Sequence, residues 1–158
     1  MISPKGLKEI DRAVLKYPAG HQQSAVIAAL AIAQRERGWL LPELMQFIAD
    51  YLQIPAISVQ EVATFYNMYE TTSVGTYKIT LCTNLPCELG GAEKTAEYLK
   101  KKLRIDFGET TPDGRFTLKE GECFGACGDA PVVLLNNHRM CSFMSCEKID
   151  QLLEELST

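Results

Sequence analysis

Apolar positions along the first seventy residues recur at helical spacing. Leu7, Ile10, Val14 and Tyr17 form one such stripe, and Ser3 followed by Pro4 places a capping hydroxyl and a first-turn proline before it. Pro18 and Gly20 close that run. A second, strongly apolar helix is predicted from Gln22 to Arg37, with Gly38 where a left-handed cap belongs. Pro42 opens a third, with Leu44, Phe47, Ile48, Tyr51 and Leu52 on one face, and it must stop before Pro55. Ser58-Val59-Gln60-Glu61 matches a capping box, so a fourth short helix is expected to start there and run through Val62, Phe65 and Tyr66. Trp39, Phe47, Tyr66 and Tyr69 are expected to pack this small bundle.

The pattern changes near Thr71–Gly75. Thr76–Leu81 alternates and is rich in β-formers, which predicts a strand ending at Cys82. Gly90 and Gly91 introduce a helix through Leu103, with Ala92, Thr95, Ala96, Leu99 and Leu103 inward. Thr111-Pro112-Asp113-Gly114 reads as a turn before a short strand at Arg115–Leu118. Val132–Leu135 and His138–Met140 are expected to pair as strands around an Asn136–Asn137 turn, and Glu147–Leu156 to form a last helix. The expected class is therefore α+β: a helical bundle over residues 1–72, then an α/β sandwich of thioredoxin-like size over residues 73–158.

Composition narrows the possible roles. The 158 residues carry 16 basic and 20 acidic side chains, a net charge of −4, which gives no electrostatic footprint for nucleic acid or an anionic membrane. The longest apolar run, Ala25–Ala33, is nine residues, against the roughly 20 needed to span a bilayer. The first residues lack a signal-peptide core, so the expected location is cytoplasmic. In a reducing compartment the six cysteines are not expected to be disulfides. No Gly-x-Gly and no Gly-Lys pair occurs, so neither the dinucleotide fingerprint nor the phosphate-binding P-loop is present.

All six cysteines lie between Cys82 and Cys146. Cys82-x4-Cys87 and Cys123-x3-Cys127, separated by 35 residues, make two short pairs of the sort that converge on a metal centre. Structural zinc accepts four thiolates, but a 2Fe–2S cluster suits the x4 spacing better. Gly90, Gly91, Gly121, Gly125 and Gly128 lie beside the pairs, where backbone N–H groups can approach sulfur. Thioredoxin-type dithiol chemistry needs Cys-x2-Cys, which is absent. Cys141-x4-Cys146 is a rival pair in an apolar, glycine-free stretch, more consistent with packed thiols. His21 and His138 are remote in sequence from any Cys-rich loop, which argues against a Rieske-type site.

Four ordered segments carry a resemblance to a known family. They are Glu61–Tyr66 (EVATFY), Cys82–Gly91 (CTNLPCELGG), Thr110–Leu118 (TTPDGRFTL) and Gly121–Pro131 (GECFGACGDAP). Together they resemble the E subunits of bacterial NADH–quinone oxidoreductase, respiratory complex I, over nearly the whole chain. The resemblance implies an N-terminal helical bundle and a thioredoxin-like 2Fe–2S ferredoxin domain, with ligand positions falling on Cys82, Cys87, Cys123 and Cys127. It implies one 2Fe–2S cluster in this chain and no substrate site of its own. FMN and NADH would be bound by a partner flavoprotein subunit, next to other peripheral-arm subunits, with the assembly attached peripherally to the inner membrane. The corresponding subunits of soluble NAD-linked hydrogenases or formate dehydrogenases share these motifs and stand as the alternative host. A structural zinc module is the remaining one.

Overall fold

The computed structural model describes residues 1–157. The chain divides into two compact units, Met1–Ser73 and Val74–Thr158, each with its own core.

The first unit holds four α-helices: α1 (Pro4–Val14), α2 (Val26–Arg37), α3 (Pro42–Leu52) and α4 (Ala56–Phe65). Ser3 caps α1 through its hydroxyl, which accepts the Gly6 N–H at 3.0 Å. The same hydroxyl donates to Glu36 at 2.6 Å, and the Ser3 N–H reaches that carboxylate at 2.8 Å. Those bonds hold the Glu36 carboxyl below its usual range. The stripe on α1 is shorter than expected: the helix ends at Val14 and Tyr17 is exposed. A 3₁₀ turn over Gln22–Ala25 leads into α2, which stops at Gly38 with φ 86°. The capping box expected at Ser58 is not used. Helix α4 starts at Ala56 behind Pro55, whose extended backbone serves as the cap, so Ser58 lies inside the first turn. Ile10, Val26, Leu30, Leu40, Ile48 and Val59 are the fully buried centre of the bundle. Tyr69 is buried and donates to the Ile27 carbonyl at 2.6 Å, whereas Tyr66 lies at the surface.

The second unit is a four-stranded sheet in the order β2-β1-β3-β4, with β1 (Tyr77–Cys82), β2 (Phe116–Gly121), β3 (Val133–Leu135) and β4 (Arg139–Cys141). Strands β1 and β2 run parallel, and the β1–β3 and β3–β4 pairs run antiparallel. The parallel pair needs a crossover, which α6 (Ala92–Leu103) supplies. Helix α7 (Cys146–Ser157) follows the sheet. Ile79 and Leu81 point into a core shared with Leu99, Leu118, Val133 and Ile149. Alternation along the strand sends Cys82 to the opposite side from Leu81, into a small separate cluster with Cys87, Ala92 and Val132. Asn136 and Asn137 both have positive φ, 49° and 64°, and with His138 form the three-residue connection between β3 and β4. Two features depart from expectation. A short helix α5 (Leu85–Leu89) fills the loop after Cys82, and β2 continues to Gly121 rather than ending at Leu118. No described helix is long and apolar enough to cross a membrane.

Leu30 has no exposed surface, so Leu30→Ala should cost about 2–5 kcal/mol in chemical denaturation. Ser3→Ala should cost about 1 kcal/mol through loss of the cap. If Leu30→Ala left the unfolding midpoint unchanged, the assignment of the bundle core would be wrong.

Candidate metal centre

Strand β1 delivers Cys82 to the end of the sheet between two neighbours. On one side it is in register with Gly121 of β2; on the other its N–H donates to the Val132 carbonyl at 3.0 Å. Glycine at 121 is a packing requirement. A Cβ there would lie 2.6 Å from Thr80 Cγ2 and 2.7 Å from Phe124 Cζ. The Phe124 ring therefore seats against the Gly121 backbone and anchors the loop that follows β2.

Helix α5 brings the second cysteine back. Asn84 and Pro86 start the turn, Cys87 lies inside it, and Gly90 ends it. Gly90 is pressed against the Ala130 segment, where an added Cβ would be 2.6 Å from Ala130 Cβ. Cys82 and Cys87 are each 2% exposed and pack in one small cluster. Burial pushes the Cys87 thiol up to about 11, reinforced by the neighbouring Cys82 thiol.

The other pair is different in character. Cys123 and Cys127 lie on an exposed loop with their sulfurs 3.7 Å apart. Gly125, between them, adopts φ 77° and its N–H donates to Cys123 Sγ at 3.3 Å. A non-glycine residue would resist that backbone conformation. Hydrogen bonding to Cys123 and the charge of that neighbour raise the Cys127 thiol. The loop that carries the exposed pair packs on the buried cluster through Phe124 and Ala126. Asn84 donates to Glu122 at 2.6 Å, and Thr83 to Glu120 at 2.8 Å, which fastens the α5 loop to the end of β2.

The four thiols thus come together as two close pairs, one buried and one exposed. Among the described residues no three His, Cys, Asp or Glu side chains gather into a site for a single metal ion. A 2Fe–2S core asks for two thiolates on each of two irons, and a pair of pairs meets that demand. Cys141 and Cys146 are free, partly buried thiols; burial raises the first, against the opposing influence of Arg139. Cys141 packs with the sheet core rather than with the small cysteine cluster. His138 is occupied with the Asn136 carbonyl at 2.6 Å. Cysteine spacing points to the thiols but gives no sign of Val132, Phe124 or the α5 turn, because their roles depend on packing distant in sequence.

Comparison with known proteins identifies the family of the chain. The profile of the thioredoxin-like [2Fe-2S] ferredoxin family matches residues 10–157. The E subunit of NADH-quinone oxidoreductase from Rickettsia felis is 40% identical over 154 residues, covering 97% of this chain and 92% of that one. The mitochondrial NADH dehydrogenase [ubiquinone] flavoprotein 2 of Dictyostelium discoideum is 39% identical over 134 residues, 84% of this chain and 54% of that one. In fold, the chain resembles a crystal structure of NAD+-reducing [NiFe]-hydrogenase in the H2-reduced state, with a TM-score of 0.70 at 23% identity. That likeness covers 81% of this chain and 22% of the hydrogenase chain. The family profile spans nearly every residue and the match to an E subunit is near full length, so the chain belongs to the thioredoxin-like [2Fe-2S] ferredoxin family.

Proposed function

We propose that this chain is an electron-transfer subunit of NADH:quinone oxidoreductase, holding one 2Fe–2S cluster on Cys82, Cys87, Cys123 and Cys127. The observation that carries the reading is the meeting of two thiol pairs at one end of the sheet, against glycine-lined loops. The near-full-length match to an E subunit supplies the host complex and outweighs a likeness in fold alone to a hydrogenase.

Bound there, the cluster supplies one-electron chemistry, and the chain's own residues set how it is held. Cys82 and Cys87 fix one side in a dry, packed environment. Cys123 and Cys127 present the other side at the surface, where a partner can approach. Gly125 N–H, and the ability of the glycine loops to come close to sulfur, favour the anionic ligand set. The chain carries no nucleotide fingerprint, so NADH and FMN belong to a partner flavoprotein subunit, which passes electrons singly to this one. The assembly would lie at the cytoplasmic face of the membrane, with this chain making no insertion of its own.

Substitution of the ligands separates this assignment from its rivals. Cys87→Ala should abolish the visible absorption of the purified protein, whereas Cys141→Ala and Cys146→Ala should leave it intact. Loss of the spectrum in either of the last two would mean that the ligand set is wrong.

The glycines give a second, independent check. Gly90→Ala should lose about 1–3 kcal/mol through overpacking against Ala130 and should lower the iron content of the purified protein. Gly128 has open space at its Cβ position, so Gly128→Ala should change stability by no more than about 0.5 kcal/mol. Equal effects of the two would show that close backbone approach at Gly90 is not what the site depends on.

A further inference from the structure

The loop that carries Cys123 and Cys127 is tied down at its far end by the segment that follows β4. Both cysteines are exposed, and Gly125 and Gly128 have open space where a side chain would begin. Cys127 opens a 3₁₀ turn, Cys127–Asp129, in which the Asp129 N–H returns to the Ala126 carbonyl at 2.9 Å. Three bonds reach this end of the loop from residues 142–144. The Ser142 hydroxyl donates to the Asp129 carboxylate at 2.9 Å. The Phe143 N–H donates to the Asp129 carbonyl at 2.8 Å, and the Met144 N–H to the Pro131 carbonyl at 3.0 Å.

The segment that supplies these donors is itself held by two helices. The Thr95 hydroxyl of α6 donates to the Met144 carbonyl at 3.0 Å in a buried position, and the Lys148 ammonium of α7 donates to the Ser142 carbonyl at 3.1 Å. Phe143 has φ 54°, a left-handed backbone that residues with a side chain rarely adopt. Its ring is half exposed, so burial of that ring is not what the conformation serves; it aims the Phe143 N–H at Asp129. Of the three bonds, only the one from Ser142 joins two side chains, and it acts two residues from Cys127. A glycine-containing, exposed loop has much backbone freedom to lose. Each fixed point behind Cys127 therefore narrows the positions its sulfur can take.

We propose that Asp129 and Ser142 are positioning residues for the exposed ligand pair: their hydrogen bond clasps the Cys127 turn to the segment anchored on α6 and α7, and so slows loss of iron from the open side of the cluster. This inference rests on the 2Fe–2S reading given above.

The test is the rate at which a ferric chelator bleaches the oxidised, cluster-loaded chain, with electron paramagnetic resonance of the same protein after dithionite reduction. Ser142→Ala should release iron about fivefold faster, the factor that one hydrogen bond of ordinary net strength supplies. Its paramagnetic signal should broaden, because the Cys127 sulfur samples more positions. Asp129→Ala should match it, and the double variant should be no faster than Asp129→Ala alone. Asp129→Asn keeps an acceptor of the same shape and should retain the native line width. Ser145→Ala is the control: that hydroxyl lies in the adjoining turn but accepts the Lys148 N–H of α7 at 3.4 Å, so rate and signal should stay native. A native rate in Ser142→Ala, multiplied effects in the double variant, or Asp129→Asn as fast and as broad as Asp129→Ala would each overturn the clasp and leave the cluster reading standing. So would a change in Ser145→Ala as large as that in Ser142→Ala. A native chain that holds no cluster would overturn both.

Discussion

Four thiols gathered at one end of a small sheet repel one another as soon as they ionise, and the rest of this site answers that constraint. Each sulfur needs either a proton or a cation, and each negative charge needs donors within reach. Without metal, the protons remain: burial and thiol–thiol contact raise Cys87 and Cys127. Two ferric ions would replace those protons, yet four thiolates and two sulfides still leave the core anionic by about two charges when oxidised. Gly125 brings its backbone N–H to the Cys123 sulfur with φ 77°, while Gly90 and Gly121 make room for neighbouring segments, Ala130 at the first and Thr80 and Phe124 at the second.

The sheet divides that task unevenly. Cys82 ends a central strand, so its backbone is fixed by neighbours on both sides. Cys87 returns to it through a helical turn too short to be stable alone, held by packing against Ala130 and Val132. Cys123 and Cys127 occupy a loop anchored by the Phe124 ring over Gly121 and otherwise open to solvent. One thiol pair is thus packed away from water and the other is open to solvent. Cys141 and α7 serve the sheet core, and exposed Arg139 pairs with Glu155 of α7, so none of them takes part in this division.

Much of the architecture is legible from the chain because local signals agree with tertiary packing. Ser3 before Pro4, Gly38, Gly91 and the Asn136–Asn137 turn each do in the fold what their chemistry predicts. Ser58 misleads: its capping box competes with Pro55, whose fixed backbone starts the helix three residues earlier. The cysteine spacing points to four thiols in two pairs, but not to which pair is buried. That asymmetry comes from strand alternation at Cys82 combined with the α5 turn, and neither Leu85–Leu89 nor Val132 carries a local sign of its part. Gly128 shows the converse: it stands next to Cys127 in sequence, yet nothing presses on it.

The most direct test of the central claim is metal and sulfide analysis of the purified native chain, joined to electron paramagnetic resonance after dithionite reduction. The account predicts a red-brown protein with about two iron atoms and two acid-labile sulfides per chain and a paramagnetic signal that appears only on reduction. A colourless protein holding zinc, with no labile sulfide and no signal, would contradict it.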